Sequence, residues 1–379
     1  MARVSVVKCE TYDMDKVQKA VDETLNNLGG LERFVKRNDR VFLKLNLIIK
    51  KSPEDAATTH PAVVEAVAKR LVELGAKVVI GDSPGGPYNK SVLQSLYRVC
   101  GIEKAAQNAG AELNFDLSSF EYSNPDGVAT KRLTLIKPMM DCDKIITISK
   151  LKTHGMALYT GAVKVMFGSI PGFTKAEYHF KMPNIRDFSN MLVDICTYTK
   201  PVLSIIDGIV GMEGDGPTGG TPVESKVLLA SENPYELDVV GAYLMGIKPL
   251  DVPTIQRCKE RGLATGRLED IEIIGSIKGL QKKYKAPHIK KISFVGGRVP
   301  EGIEKYLNRI LSPKPVFSQE ICIGCGRCKQ SCPPGAIKMV DGRPKVDLQK
   351  CIRCFCCQEL CPQKAVKIKR PWLIDRFLR

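Results

Sequence analysis

Apolar and polar positions alternate along the first 280 residues in blocks that predict strands and helices in turn. Short runs rich in β-branched residues predict strands at residues 3–8, 40–46 and 77–82. Apolar residues recur with helical spacing at residues 15–28 and 61–74. Because strand, helix and strand follow one another within about 40 residues, each unit is expected to form a right-handed parallel crossover.

The same alternation continues towards residue 261. Strands are predicted at 144–149, 201–207 and 226–230, helices at 91–99, 185–199, 234–244 and 252–261, and a glycine-rich loop at 211–220. The pattern therefore predicts an α/β domain with an open, mostly parallel sheet and helices on both faces.

The length of 379 residues exceeds what one compact core usually holds, so a large domain and a small domain are expected. We assign residues 1–281 to the α/β domain and residues 282–314 to a basic connector that carries several prolines. Residues 315–370 form the small domain, and residues 371–379 form a basic amphipathic tail.

Two cysteine runs in the small domain have the spacing Cys-x2-Cys-x2-Cys-x3-Cys-Pro. Their members are Cys322, Cys325, Cys328 and Cys332, then Cys351, Cys354, Cys357 and Cys361. In this bacterial-ferredoxin pattern, three neighbouring thiolates bind one 4Fe-4S cluster and the fourth cysteine binds the other cluster. Cluster one is therefore assigned Cys322, Cys325, Cys328 and Cys361, and cluster two is assigned Cys351, Cys354, Cys357 and Cys332. The runs predict a small α+β ferredoxin-like domain with two 4Fe-4S clusters.

A zinc site is the alternative interpretation of these cysteines. Zinc sites usually show two Cys-x2-Cys pairs separated by a longer loop, which these runs do not match. Cys356 lies inside the second run but outside the ligand spacing, so we expect it not to bind a cluster. The remaining cysteines are scattered singly, which is typical of a reducing compartment, and we expect the protein in the cytoplasm.

The formal net charge of +16 falls to about +12 if two clusters contribute roughly −2 each. A basic protein of this kind suits a small anionic substrate or an acidic electron-transfer partner. Nucleic-acid binding is disfavoured, because no helix-turn-helix, RNP or zinc-finger pattern is present and only 6% of residues are aromatic. No run of about 18 apolar residues predicts a transmembrane segment, and no feature indicates an oligomeric state.

Polar segments occur in a fixed order through the α/β domain. They are Lys44-Leu45-Asn46, Thr58-Thr59-His60-Pro61, Gly81-Asp82-Ser83-Pro84-Gly85-Gly86, Ser149-Lys150-Leu151-Lys152-Thr153-His154, Gly161-Ala162-Val163-Lys164, Asp207-Gly208 and Gly214-Asp215-Gly216-Pro217-Thr218-Gly219-Gly220. In this order, followed by the double cysteine run, they resemble the family known as domain of unknown function 362, often described as iron–sulfur cluster-binding proteins. The resemblance implies a fold and clusters but no reaction. The family typically has Asn after the lysine at position 164, whereas this chain has Val165.

Several of these segments follow predicted strands, and the carboxyl ends of strands form the ligand crevice of an open α/β sheet. Lys44, Asp82, Lys150 and Asp207 are predicted at such ends. With Lys152, His154 and Lys164, the lysines concentrate positive charge that suits a carboxylate or phosphate. We therefore predict Lys150, His154 and Lys164 as catalytic residues. The predicted ligand-binding residues are Lys44, Asn46, Asp82, Lys152 and Asp207.

Simpler interpretations exist for individual residues. Glycine-rich loops are usually turns, His60 can serve only to begin a helix, and a histidine such as His179 is more often a surface residue than a catalyst.

The sequence is consistent with two functions for the whole protein. The first is an oxidoreductase whose clusters pass low-potential electrons to an anion bound in the α/β domain. The second is a non-enzymatic electron-transfer or regulatory protein whose α/β domain docks a partner.

Overall fold

The computed structural model describes residues 1–287 and 313–369. Most of the predicted connector and all of the predicted tail at 371–379 lie outside the described residues. The strands are β1 Ala2–Lys8, β2 Arg40–Leu45, β3 Lys77–Gly81, β4 Glu112–Leu113, β5 Ser119–Ser123, β6 Arg132–Ile136, β7 Lys144–His154, β8 Leu158–Thr160, β9 Leu203–Glu213, β10 Thr221–Ser231, β11 Ile271–Gly275, β12 Lys314–Phe317, β13 Ile337–Val340, β14 Arg343–Val346 and β15 Val366–Lys369.

The helices of the α/β domain are α1 Met14–Asn27, α2 Pro61–Glu73, α3 Lys90–Val99, α4 Ile102–Ala109, α5 Lys137–Met140, α6 Ala162–Val165, α7 Thr174–Lys181, α8 Ile185–Thr199, α9 Pro234–Leu244 and α10 Pro253–Glu260. The small domain contains a first module helix, Arg327–Gln330, and a second module helix, Cys356–Glu359. Within the two described ranges, no helix is long and apolar enough to span a membrane.

One large sheet organises the α/β domain, with the strand order β11-β1-β10-β9-β7-β2-β3-β4 and β8 paired to β7. Strand β10 is antiparallel to both of its neighbours and β8 is antiparallel to β7, while the other pairs are parallel. Two apolar cores cover the opposite faces. In β2, Phe42 packs into one core, and Val41 and Leu43 pack into the other. This alternation is what a strand buried on both faces requires, and it confirms the predicted fold class.

Three strands are longer than predicted. β7 continues five residues past 149 to His154, β9 continues past 207 to Glu213 and so enters the first part of the predicted glycine-rich loop, and β10 begins at Thr221, directly after that loop. The polar residues that interrupt the apolar pattern find partners inside the protein, so the sheet continues through them. His60 begins α2 by accepting a hydrogen bond at Nδ1 from the Ala62 amide.

The small domain is α+β, as predicted. Strand β12 pairs with β15 and β13 pairs with β14, both antiparallel, and each module helix lies within one cysteine run. The second module helix faces the carboxyl edge of the large sheet. Thr218 Oγ1 donates to the Glu359 carbonyl at 2.9 Å, and Gln358 Nε2 donates to the Asp215 carbonyl at 3.2 Å.

Candidate functional site

The eight cysteines of the two runs line two separate cavities in the small domain. A cavity of about 370 Å³ is lined by Cys322, Cys325, Cys328 and Cys361. A second cavity of about 320 Å³ is lined by Cys332, Cys351, Cys354 and Cys357. This is the grouping that the crossed ligand assignment predicts, and each cavity offers four sulfur donors, which fits a 4Fe-4S cluster.

Backbone amides point at several of these sulfurs. The Gly324, Ala336 and Ala365 amides donate to the Sγ atoms of Cys322, Cys332 and Cys361 at 3.3–3.4 Å. Such hydrogen bonds stabilise thiolates and tune cluster potentials. Within residues 1–287 and 313–369, no three Cys, His, Asp or Glu side chains could hold a single metal ion. Ligands that surround a four-iron cubane stand further apart than ligands of one ion.

A pocket of about 740 Å³ lies between the α/β domain and the small domain, and we call it the interdomain pocket. Its walls come from the loops after β2 and β3, from β8 and α6, from α7, and from the second module helix. The lining includes Asn46, Ile48, Asp82, Ser83, Gly85, Thr160, Lys164, Val165, Phe167, Phe173, Lys175, His179, Ser331, Cys356, Glu359 and Leu360. The pocket therefore occupies the ligand crevice predicted at the carboxyl edge of the sheet, closed on one side by the small domain.

Lys44 and Asp82 form a buried ion pair beneath this pocket. Lys44 Nζ lies 2.7 Å from Asp82 Oδ1 and also donates to the carbonyls of Leu45 and Val165. A Cβ at Gly168 would collide with both members of the pair, so the 3₁₀ turn above them needs glycine. Lys44 is thus saturated by the protein, and its predicted role in ligand binding stays a prediction.

Lys150 and Asp207 form a second buried ion pair, at 2.7 Å. Both lie inside their strands, in register with each other on β7 and β9, so their predicted placement at strand ends was wrong. Lys150 Nζ also donates to Tyr12 Oη at 2.8 Å, and Tyr12 donates to Asp207 at the same distance. Lys150 does not line the interdomain pocket. Its ammonium is instead held inside the α/β domain by this network.

Lys152 is fully buried and is satisfied by neutral acceptors. Its ammonium donates to the carbonyls of Ala57 and Pro217. Burial lowers its pKa well below the usual value, and the charges of Lys164 and Lys150 lower it further. The predicted cluster of Lys150, Lys152, His154 and Lys164 is therefore divided by the fold, and only Lys164 lines the pocket.

Lys164 meets polar atoms that also lack partners. Among the described residues, its ammonium has no hydrogen-bond or ion-pair partner, and burial lowers its pKa, opposed by Glu359. Asn46 Oδ1 and Thr160 Oγ1 line the same pocket, are buried, and have no partner within the described part of the chain. Because buried polar groups are costly when unpaired, this set is arranged for a ligand.

Lys175 and His179 line the pocket and were missed by the sequence analysis. Lys175 Nζ donates to Ser83 Oγ and to the carbonyls of Ser83 and Ile170. Burial lowers its pKa to about 7, partly offset by Asp82. His179 is buried and stacks on Phe188 at 4.4 Å, so its expected surface position was wrong. The two residues are one helical turn apart, and that spacing was the available signal.

His154 contacts the small domain directly. Its Nδ1 accepts hydrogen bonds from the Met156 and Ala157 amides, so the neutral ring carries its proton on Nε2, which lies 3.2 Å from Glu359 Oε1. Burial and the charge of Lys164 lower the pKa of His154 to about 4. The imidazole is therefore neutral near pH 7, and its predicted catalytic role stays a prediction.

Two family models match the chain, one in each domain. Residues 41–243 match the family described as Domain of unknown function (DUF362), and residues 314–362 match a 4Fe-4S dicluster domain. The chain is 34% identical over 266 residues to a thylakoid-associated protein of Synechocystis sp., covering 69% of this chain and 79% of the relative. The lactate racemase apoprotein from Thermoanaerobacterium thermosaccharolyticum superimposes with a TM-score of 0.42 and 12% identity, over 65% of this chain and 58% of the racemase chain.

Proposed function

Because the chain belongs to the DUF362 family and carries a 4Fe-4S dicluster domain, we propose that it is an oxidoreductase that passes low-potential electrons to a small anion bound in the interdomain pocket. The observation that carries this proposal is the polar set of Asn46, Thr160 and Lys164, which lines the pocket together with the second module helix and has no partner among the described residues for Asn46 Oδ1, Thr160 Oγ1 or the Lys164 ammonium. The Thr160 hydroxyl and the Lys164 ammonium can donate to a carboxylate or phosphate, while the Asn46 Oδ1 atom can accept from a donor group on the same ligand.

The ligand sets of two 4Fe-4S clusters are part of the proposal. Cys322, Cys325, Cys328 and Cys361 would bind cluster one, and Cys332, Cys351, Cys354 and Cys357 would bind cluster two. When bound, such clusters supply single electrons at a potential set by their hydrogen bonds and exposure. A reducing compartment such as the cytoplasm would keep these thiols available.

Two residues that line the interdomain pocket lie next to proposed cluster-two ligands in the sequence, which would bring a bound anion close to that cluster. Ser331 precedes the ligand Cys332, and Cys356 lies between the ligands Cys354 and Cys357. Part of the pocket wall is thus built from residues that neighbour the proposed cluster-two ligands in the sequence.

The remaining lining suggests the shape of the anion. Phe167, Phe173 and His179 give one side of the pocket an aromatic wall, while Ile48 and Leu360 are aliphatic. A ligand with an apolar body would pack there, and its anionic group would reach Lys164 and Lys175. Glu359, held by His154, adds a carboxylate beside the cations. A carboxylate on a small apolar ring is therefore the simplest probe.

The test measures metal content and ligand binding on the same anaerobic protein. We expect close to eight irons and eight sulfides per chain, because two complete ligand sets are present. Cys322→Ser should lose iron, whereas Cys356→Ser should keep it. Calorimetry should detect benzoate binding to the wild type but not to Lys164→Met, with Lys259→Met on α10 as the surface control. Zinc as the main metal would refute the cluster assignment, and equal benzoate binding by the wild type, Lys164→Met and Lys259→Met would favour the docking-protein alternative.

A further inference from the structure

The two cluster loops differ in their exposure to solvent. Around cluster two, Phe355, Cys356 and Gln358 are buried, with Cys356 only 6% exposed. Around cluster one, Ile321 and Ile323 are 40% and 63% exposed, and they flank the predicted ligand Cys322. Single exposed apolar side chains are common on protein surfaces, whereas neighbouring ones that form a patch mark an interaction surface.

Two arginines are close to these isoleucines in the fold, because Arg327 lines the cluster-one cavity with Ile323 and Arg343 contacts Cys322 between the two isoleucines. Arg327 and Lys329 are exposed on the first module helix, and Arg343 is exposed and donates to the Cys322 carbonyl. Residues 313–369 contain eleven Lys and Arg against four Asp and Glu, an excess of seven. Because two clusters with their thiolates bring roughly four negative charges, the small domain stays positive.

We infer that this face, made of Ile321, Ile323, Arg327, Lys329 and Arg343 and here called the cluster-one face, docks a small acidic electron-carrier protein. The occupant follows from charge complementarity: an apolar centre with a basic rim fits a partner with an apolar centre and an acidic rim. Weak electron-transfer encounters bury less surface than stable complexes, so such a partner does not require an extended apolar surface.

This inference deepens the proposed function and rests on it, because it assigns the two faces of the small domain to different partners. The cluster-one face would meet the carrier, and the second module helix would meet the anion in the interdomain pocket. When the docked carrier and the dicluster domain exchange one electron, one is oxidised as the other is reduced, and no bond forms or breaks.

The experiment measures binding of the iron-loaded full chain to an acidic flavodoxin by calorimetry, with basic cytochrome c as the control carrier. We expect flavodoxin to bind and to weaken about tenfold or more as salt rises from low to roughly 0.5 M, because exposed charges are screened. Cytochrome c should not bind.

Ile323→Glu and Arg327→Glu should each weaken flavodoxin binding about tenfold, since both place negative charge in the interface. Lys259→Glu, which makes the same charge change as Arg327→Glu at an exposed position on α10, should leave binding unchanged. Iron content is measured on every variant, and Lys329→Glu replaces any variant that loses its clusters.

Unchanged flavodoxin binding in iron-loaded Ile323→Glu and Arg327→Glu would overturn the inference, as would an equal loss in Lys259→Glu or equal binding of cytochrome c. The pocket is tested separately. Lys164→Met should bind flavodoxin normally while losing benzoate, so failure of the docking surface and failure of the proposed function give different results.

Discussion

Two sets of lysines in the α/β domain look alike in the sequence and have different surroundings in the fold. The paired lysines, Lys44 and Lys150, each lie 2.7 Å from a buried carboxylate. The pocket lysines, Lys164 and Lys175, line the interdomain pocket, and neither forms an ion pair within the described residues. Burying an ammonium without a counter-charge is costly. The comparison teaches that the pocket lysines, rather than the paired lysines Lys44 and Lys150, are placed for an external anion.

The largest expected effect comes from breaking a buried pair. Asp207→Ala should lower the free energy of unfolding by about 3–5 kcal/mol, because it leaves the Lys150 ammonium buried without its carboxylate. Urea denaturation measures the loss. The double variant Asp207→Ala/Lys150→Met should recover part of it, since the unpaired charge is gone.

The matched control is the Asp22–Arg70 pair, which is about one-third exposed. Asp22→Ala should cost at most about 1 kcal/mol. Equal losses of unfolding free energy in Asp207→Ala and Asp22→Ala would contradict the distinction between a buried and a partly exposed ion pair.

Removing a pocket lysine should affect binding instead of stability. Lys164→Met should weaken benzoate binding about tenfold or more, which corresponds to a charge-assisted contact of roughly 1.5–3 kcal/mol. The free energy of unfolding should stay the same or rise, because a partly buried charge without a partner among the described residues disappears. Calorimetry and urea denaturation on one preparation give both values. A variant that binds benzoate normally but unfolds easily would place Lys164 among the structural lysines.

Lys175 should make benzoate binding depend on pH. Its ammonium is present below its pKa of about 7 and is lost above it. Affinity should therefore fall by up to about tenfold per pH unit as pH rises past 7. The measurement is a calorimetric titration series from pH 6 to 8.5, and in Lys175→Met the slope should vanish.

In the protein without ligand, the unfolded chain binds more protons than the folded chain between pH 7 and the ordinary lysine pKa of 10.5. The free energy of unfolding should therefore rise with pH in that range.

The smallest effect is expected from the unpartnered hydroxyl of Thr160. Thr160→Val keeps the side-chain shape and removes one hydrogen bond to the ligand, so benzoate affinity should fall two- to tenfold, or about 0.5–1.5 kcal/mol. Stability should not fall, because Thr160 Oγ1 has no partner among the described residues. Thr197→Val, which removes a hydroxyl that contacts Tyr235 at 3.1 Å, serves as the control outside the pocket. A drop in stability without a change in affinity would show that Thr160 acts in the fold.

The sequence predicted more of the fold than of the site, and the reason is physical. Helices α8 and α9 were predicted at their observed bounds, because their apolar spacing is local. The Lys150–Asp207 pair joins residues 57 positions apart through the register of β7 and β9, which no local pattern encodes. The crossed cysteine grouping could be predicted because spacing alone determines it.

The second module helix contributes one wall of the interdomain pocket. Gly85 allows Leu360 to approach the loop after β3, and Glu359 reaches His154, so one side of the pocket belongs to a segment between cluster ligands. Metal binding and folding are coupled in small metal-binding domains. We therefore expect the interdomain pocket to be completed only once iron and sulfide are inserted, so that an iron-free chain would bind the proposed anionic ligand weakly. Benzoate calorimetry on iron-free full-length chain tests this order of assembly, and wild-type affinity there would refute it.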